Sequence, residues 1–165
     1  MDITIIRKAS FPKQNVEVLR DAAMFFGEIL LGKRILNGIA LDIDIDEHLD
    51  VKGELVNEDG TKLSRWFRIA IQASLDLDEM LATLAHEMVH LKQHVRNEIS
   101  FKKVRVQRGR GKAVMTEVRL WKGEEWKPAK NEDAYFDAPW EIEAYGREGG
   151  LVHRYIEKCQ AVSAK

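Results

Sequence analysis

Apolar residues along the chain follow two periods. Between residues 15 and 31, Leu19, Ala22, Ala23, Phe26, Ile29 and Leu30 recur at three and four, which is one face of an amphipathic helix closed by Gly32. From residue 76 to about 96 a stronger helix carries Leu77, Leu81, Leu84, Met88, Leu91 and Val95 at alternating four and three, opened by Asp76 and Glu79 as a capping box. Elsewhere the period is two. Residues 2–6 are short and β-branched, residues 39–45 alternate Ile39, Leu41, Ile43 and Ile45 with Asp42 and Asp44, and residues 51–56 and 66–72 flank an Asp59-Gly60 turn. Residues 99–107 and 112–120 flank Arg108-Gly109-Arg110-Gly111 and predict a hairpin too polar to be buried on both faces. A polar stretch, 122–137, reads as a loop, and Pro139 is placed to open a closing helix that runs to about Cys159. The expected fold is α+β: a small, mostly antiparallel sheet with an amino-terminal helix against it.

Composition narrows the class. A length of 165 residues, 45% hydrophobic and 32% charged, without repeat or linker, predicts one globular domain over 1–165 with the hairpin, 99–121, as an insertion. The longest apolar stretch, 22–31, is broken by Gly27 and Glu28 and is far short of the roughly 20 residues of a membrane span, so no membrane partner is expected. The start, MDITIIRK, has no apolar signal region, and the single Cys159 builds neither a disulfide nor a zinc ribbon, which predicts a cytoplasmic protein. With 26 Lys and Arg against 27 Asp and Glu, net charge argues neither for nor against nucleic acid.

The strong helix contains His86-Glu87-Met88-Val89-His90, an HExxH sequence. Two histidines four apart sit one turn above each other and can converge on one tetrahedral metal, while Glu87 is rotated to where it reaches a water on that metal. His86 and His90 lie about 200° and 240° round from Leu84, so the helix buries one stripe and turns the other face to a cleft. A catalytic zinc takes three protein ligands. His94 lies another turn along, too far on a straight helix to share the ion, and is expected near the ligands or exposed. A metzincin third histidine is ruled out by Gln93 and Arg96 in the required positions. The third ligand is therefore expected on a later helix.

The downstream sequence Pro139-Trp140-Glu141-Ile142-Glu143-Ala144-Tyr145, taken with HExxH, resembles the gluzincin metallopeptidases, particularly the compact minigluzincin, ImmA/IrrE-like and SprT-like peptidases often encoded by bacteria and their phages. The resemblance covers roughly residues 65–96 and 139–145. It implies a zincin-like domain, zinc held by His86, His90 and Glu141, and an Asp or Asn four residues after the ligand glutamate, a slot occupied here by Tyr145. SprT-like proteins mostly use a third histidine, which this helix lacks. Glu141 and Glu143 are about 200° apart on a helix, so at most one reaches the metal; the family frame favours Glu141, leaving Glu143 solvated or bracing a ligand. The resemblance further implies that strand 66–72, as a sheet edge, pairs with an extended peptide substrate.

The expected chemistry is peptide-bond hydrolysis. Zinc lowers the pKa of its water toward about 7 and polarises the carbonyl, while Glu87 moves the proton to the leaving amine. Candidates to stabilise the oxyanion are Tyr135, Tyr145, His153 and Tyr155. Six bases and no acid between residues 102 and 112 (Lys102, Lys103, Arg105, Arg108, Arg110 and Lys112) leave two readings of the hairpin: a charged, aggregation-resistant edge, or a contact for nucleic acid or an acidic partner. Trp121, Trp126 and Trp140 are placed to pack the loop over the cleft. The alternative to a peptidase is a binding module with a structural or degenerate zinc site, its function carried by the hairpin.

Overall fold

The chain runs β1 (Asp2–Ile6), α1 (Lys13–Leu31), α2 (Lys33–Leu36), β2 (Ala40–Asp46), β3 (Gly53–Asn57), β4 (Trp66–Gln72), α3 (Leu77–Val95), β5 (Ile99–Val106), β6 (Val114–Trp121), β7 (Glu124–Glu125) and α4 (Pro139–Ser163). The structure, a computed structural model, describes residues 1–7, 10–61, 63–107, 113–127 and 134–164. Arg108, Arg110 and Lys112, with the glycines of the expected hairpin turn, lie outside the described residues. The fold is a single α+β domain, and among the described residues no helix is long and apolar enough to cross a membrane.

The main sheet has the order β1-β2-β4-β3, with β1, β2 and β4 parallel and only β3 antiparallel. This corrects the mostly antiparallel sheet expected from sequence. Helix α1 is the crossover that parallel pairing of β1 with β2 requires. The structure has a parallel core whose helices lie on one face only, which is why β2 alternates apolar with acidic residues. On the other face Arg68 meets Glu58 at 2.8 Å and Asp44 at 3.7 Å, and Trp66 Nε1 donates to Asp42 at 2.8 Å. Strand β4 lies inside the sheet, between β2 and β3, so the free edge on that side is β3 and not residues 66–72.

Leu19, Phe26, Ile43, Phe67, Ile69, Leu84 and Met88 pack α1 and α3 on the sheet with almost no exposure. The expected single buried stripe of α3 is exceeded: His86, Glu87, Val89, Lys92 and Gln93 are buried too, because α4 covers the face opposite the stripe. Strands β5, β6 and the two-residue β7 form a separate sheet, its base packed on a second small core of Ile99, Ala138 and Trp140 with Trp121 and Trp126.

Candidate metal centre

Asp76 caps α3 by accepting the Glu79 backbone N–H at 2.9 Å; the Glu79 side chain pairs with Lys52 instead of closing the box. Ten residues on, the helix presents His86 and His90 toward the first turn of α4, where Pro139 starts the helix and Glu141 points back. The two Nε2 atoms are 3.1 Å apart, and Glu141 Oε2 lies 3.3 Å from the first and 3.5 Å from the second. These three residues can hold a metal ion. Tetrahedral coordination at bond lengths of about 2.0–2.2 Å spaces ligand atoms about 3.3–3.6 Å apart, so the triangle is within about 0.2 Å of the size such an ion requires. Glu141 Oε2 is buried, and neither imidazole is aligned to hydrogen-bond it; a buried carboxylate oxygen without a partner is costly, and a cation is what would satisfy it. Burial alone would raise the Glu141 carboxyl, but the adjacent imidazoles outweigh it and hold it down at about 2. Burial likewise lowers His86 and His90, yet Glu141, with Glu148 for the first and Gln93 for the second, raises both above the ordinary histidine value.

Each imidazole is oriented from behind. His86 Nδ1 lies 2.8 Å from Glu148 Oε2, and His90 Nδ1 lies 2.8 Å from Gln93 Oε1. Gln93, fully buried, donates from Nε2 to the Trp140 carbonyl at 3.0 Å and to Glu143 Oε2 at 3.0 Å. Two acceptors on that side fix which amide atom is nitrogen, so Oε1 accepts from His90, Nδ1 carries the hydrogen, and the Nε2 lone pair is free to face an ion. Glu143 also binds Lys92 at 2.7 Å, and Lys92 reaches Glu98 at 2.6 Å, which joins α3, α4 and the start of β5. Burial pushes Glu143 up, but Lys92 and Gln93 outweigh it and hold the carboxyl below the usual range.

Glu143 thus braces the ligand set from behind, and Glu141 is the glutamate beside the histidines. Tyr145, in the slot that an Asp or Asn occupies in the resembling families, packs edge-on against His86 with centroids 4.6 Å apart. The orienting carboxylate comes instead from Glu148, two turns past Glu141 on the same side of α4. Sequence reasoning missed Glu148 and Gln93; the spacings 141/148 and 90/93 were the available signals. His94 is outside the metal group, half-buried near Phe67, and burial, then His90 and Arg119, lowers its pKa. His153 is exposed beside Glu157, away from the ligands, and Tyr155 is core, its hydroxyl donating to the Val18 carbonyl at 3.2 Å. Neither fits an oxyanion role. Tyr135 does line the cleft; burial and then Glu141 raise its phenol pKa, and burial raises that of Tyr145.

Glu87 is 7% exposed and sits where β3 crosses α3. A Cβ on Gly53 would collide with the Thr83 methyl and come within 3.4 Å of Glu87 Cγ, so only glycine lets the edge strand lie this close. Burial raises the Glu87 carboxyl against the pull of His90 and His86. A cleft of about 240 Å³ lined by Gly53, Leu55, Glu87, His90, Tyr135 and Glu141 opens in front of these groups. No protein-family model, curated protein or solved structure matches the chain. The functional reading therefore rests on this geometry.

Proposed function

We propose that the protein is a zinc-dependent peptidase of the gluzincin type, with His86, His90 and Glu141 as ligands and Glu87 as general base. The observation that carries the reading is the triangle of donor atoms, 3.1, 3.3 and 3.5 Å on its sides, set beside a buried glutamate in a cleft bordered by a free strand edge. Two neutral imidazoles and a carboxylate suit zinc. Bound there, zinc supplies a Lewis acid for the scissile carbonyl and a water acidic enough to react near neutrality. Glu87, its carboxyl raised by burial, takes the proton of the attacking water and passes it to the departing amine. Tyr135 and Tyr145 keep their protons at neutral pH and are the nearby donors for the developing oxyanion. The outward backbone groups of β3 are available to align an extended peptide.

A purely structural metal site would be closed by a fourth protein ligand, and among the described residues no fourth His, Cys, Asp or Glu joins the group. The test is cleavage of a denatured protein, read by mass spectrometry, with zinc-loaded wild type and Glu87→Gln. The variant is expected to retain zinc and to lose about 10²–10⁴-fold in rate. Equal rates, or no cleavage by the wild type, would overturn the proposal.

A further inference from the structure

Two strand edges, not one, open onto the groove that leads from the metal centre. In β3 the Gln72 N–H donates to the Lys52 carbonyl and the Glu58 N–H to the Trp66 carbonyl, both at 3.0 Å. Antiparallel pairing alternates, so residues 52, 54, 56 and 58 spend their backbone groups on β4, while Gly53, Leu55 and Asn57 turn theirs outward. In the hairpin the Lys122 N–H donates to the Glu98 carbonyl at 2.7 Å. The same alternation commits even-numbered residues of β5 to β6 and turns Ile99, Phe101 and Lys103 outward. The Trp126 N–H bonding to the Arg119 carbonyl at 3.0 Å agrees, since Arg119 is the partner of Phe101 and bonds toward β7. Edges β3 and β5 belong to different sheets and do not pair with each other. Between them lie the metal cleft and a larger cavity of about 760 Å³, which share His94 and Ile99 and so form one continuous groove.

We propose that this groove binds an extended acidic peptide as a strand laid between β3 and β5, hydrogen-bonded on both sides and joining the two sheets. The identification of that peptide with a substrate rests on the peptidase reading; the second edge and the charge preference go beyond it. A strand alternates its backbone groups left and right, so it can satisfy the outward residues of both edges at once. Main-chain pairing is indifferent to side chains, and selectivity comes from the wall. Lys102 lies opposite Val118 and Lys103 opposite Glu117, and all three charged residues line the larger cavity beside Phe101, so Lys102 is the cation of that wall with no carboxylate across the ladder. An acidic side chain placed beside Lys102 is the complement of that cation.

The test uses the full-length Glu87→Gln chain and three probes: a ten-residue peptide alternating valine and glutamate, its lysine counterpart, and a single-stranded ten-thymidine DNA. Amide hydrogen exchange, residue by residue, is the readout. The glutamate peptide is expected to slow exchange at Leu55 and Asn57 and also at Phe101 and Lys103 by about tenfold or more, and the lysine peptide to bind about tenfold more weakly. Lys103→Pro removes an outward N–H that β6 does not use, so the hairpin persists; it is expected to weaken the glutamate peptide more than Lys103→Ala, which removes the charge alone. Protection at β3 alone, at neither edge, or binding of the DNA with no peptide protection would overturn the proposal. If both edges are protected while the wild-type chain hydrolyses nothing, the peptidase reading falls and this one stands. Hydrolysis with free exchange at β5 gives the reverse.

Discussion

The metal end and the hairpin are built on opposite plans. At the metal end each imidazole is held from behind by a side chain: His86 by the half-buried Glu148, His90 by the buried Gln93, and Gln93 in turn by Glu143 and the Trp140 carbonyl. Positions are set by side chains locked between α3 and α4. Strands β5 and β6 are paired chiefly with each other; Phe101, Val114 and Met115 are 43%, 57% and 59% exposed, and only the base is anchored, where Trp126 and Trp140 meet at 4.6 Å and Arg119 lies 4.7 Å over the Trp140 ring. A two-stranded ribbon of this kind is marginal by itself. The contrast teaches that side-chain partners are concentrated where the geometry of the ligand atoms is set, while the hairpin, the wall of the proposed peptide groove, is held chiefly at its base.

The contrast is broken most severely by Glu141→Ala. Structural zinc sites bind with about 10–16 kcal/mol, and removing one of few ligands is expected to weaken zinc roughly a thousandfold, measured by chelator competition. Glu148→Ala leaves the donors but frees the His86 ring, and about 10–100-fold is expected, against little change for Tyr145→Phe. Protons compete for the same lone pairs. Because both imidazole pKa values are raised, zinc affinity is expected to begin falling above pH 6.5 as pH is lowered, by about tenfold per unit as the two facing Nε2 atoms take up a shared proton. Glu143→Ala touches no ligand, yet takes one of two partners from the buried Lys92 and from the Gln93 amide; a loss of about 1–3 kcal/mol in denaturant unfolding is expected, with a smaller effect on zinc than Glu141→Ala. At the hairpin, Val114→Thr is expected to change stability by less than about 0.5 kcal/mol.

How much of this was legible depends on the range of the interaction. The two long helices, the Asp76 cap, the 66–72 strand and the HExxH pair are written in local periodicity, and the gluzincin resemblance pointed to Glu141. Strand order was not legible: nothing local tells that β3 passes outside β4, so the free edge was placed one strand too far inward. Glu148 was hidden for a similar reason, since which turn of α4 faces His86 follows from how two helices pack, and the search stopped at the family spacing occupied by Tyr145. Gln93 was read only as the absence of a third histidine, although its place three residues after His90 put it beside that ring.

The most direct test of the central claim is a zinc titration of the purified chain at neutral pH, in parallel with His86→Ala, His90→Ala and Glu141→Ala. One tightly bound equivalent in the wild type, weakened in all three variants while their circular dichroism stays that of a folded α+β chain, is the predicted result. A wild type that takes up no zinc, or variants that bind it as the wild type does, would contradict the account.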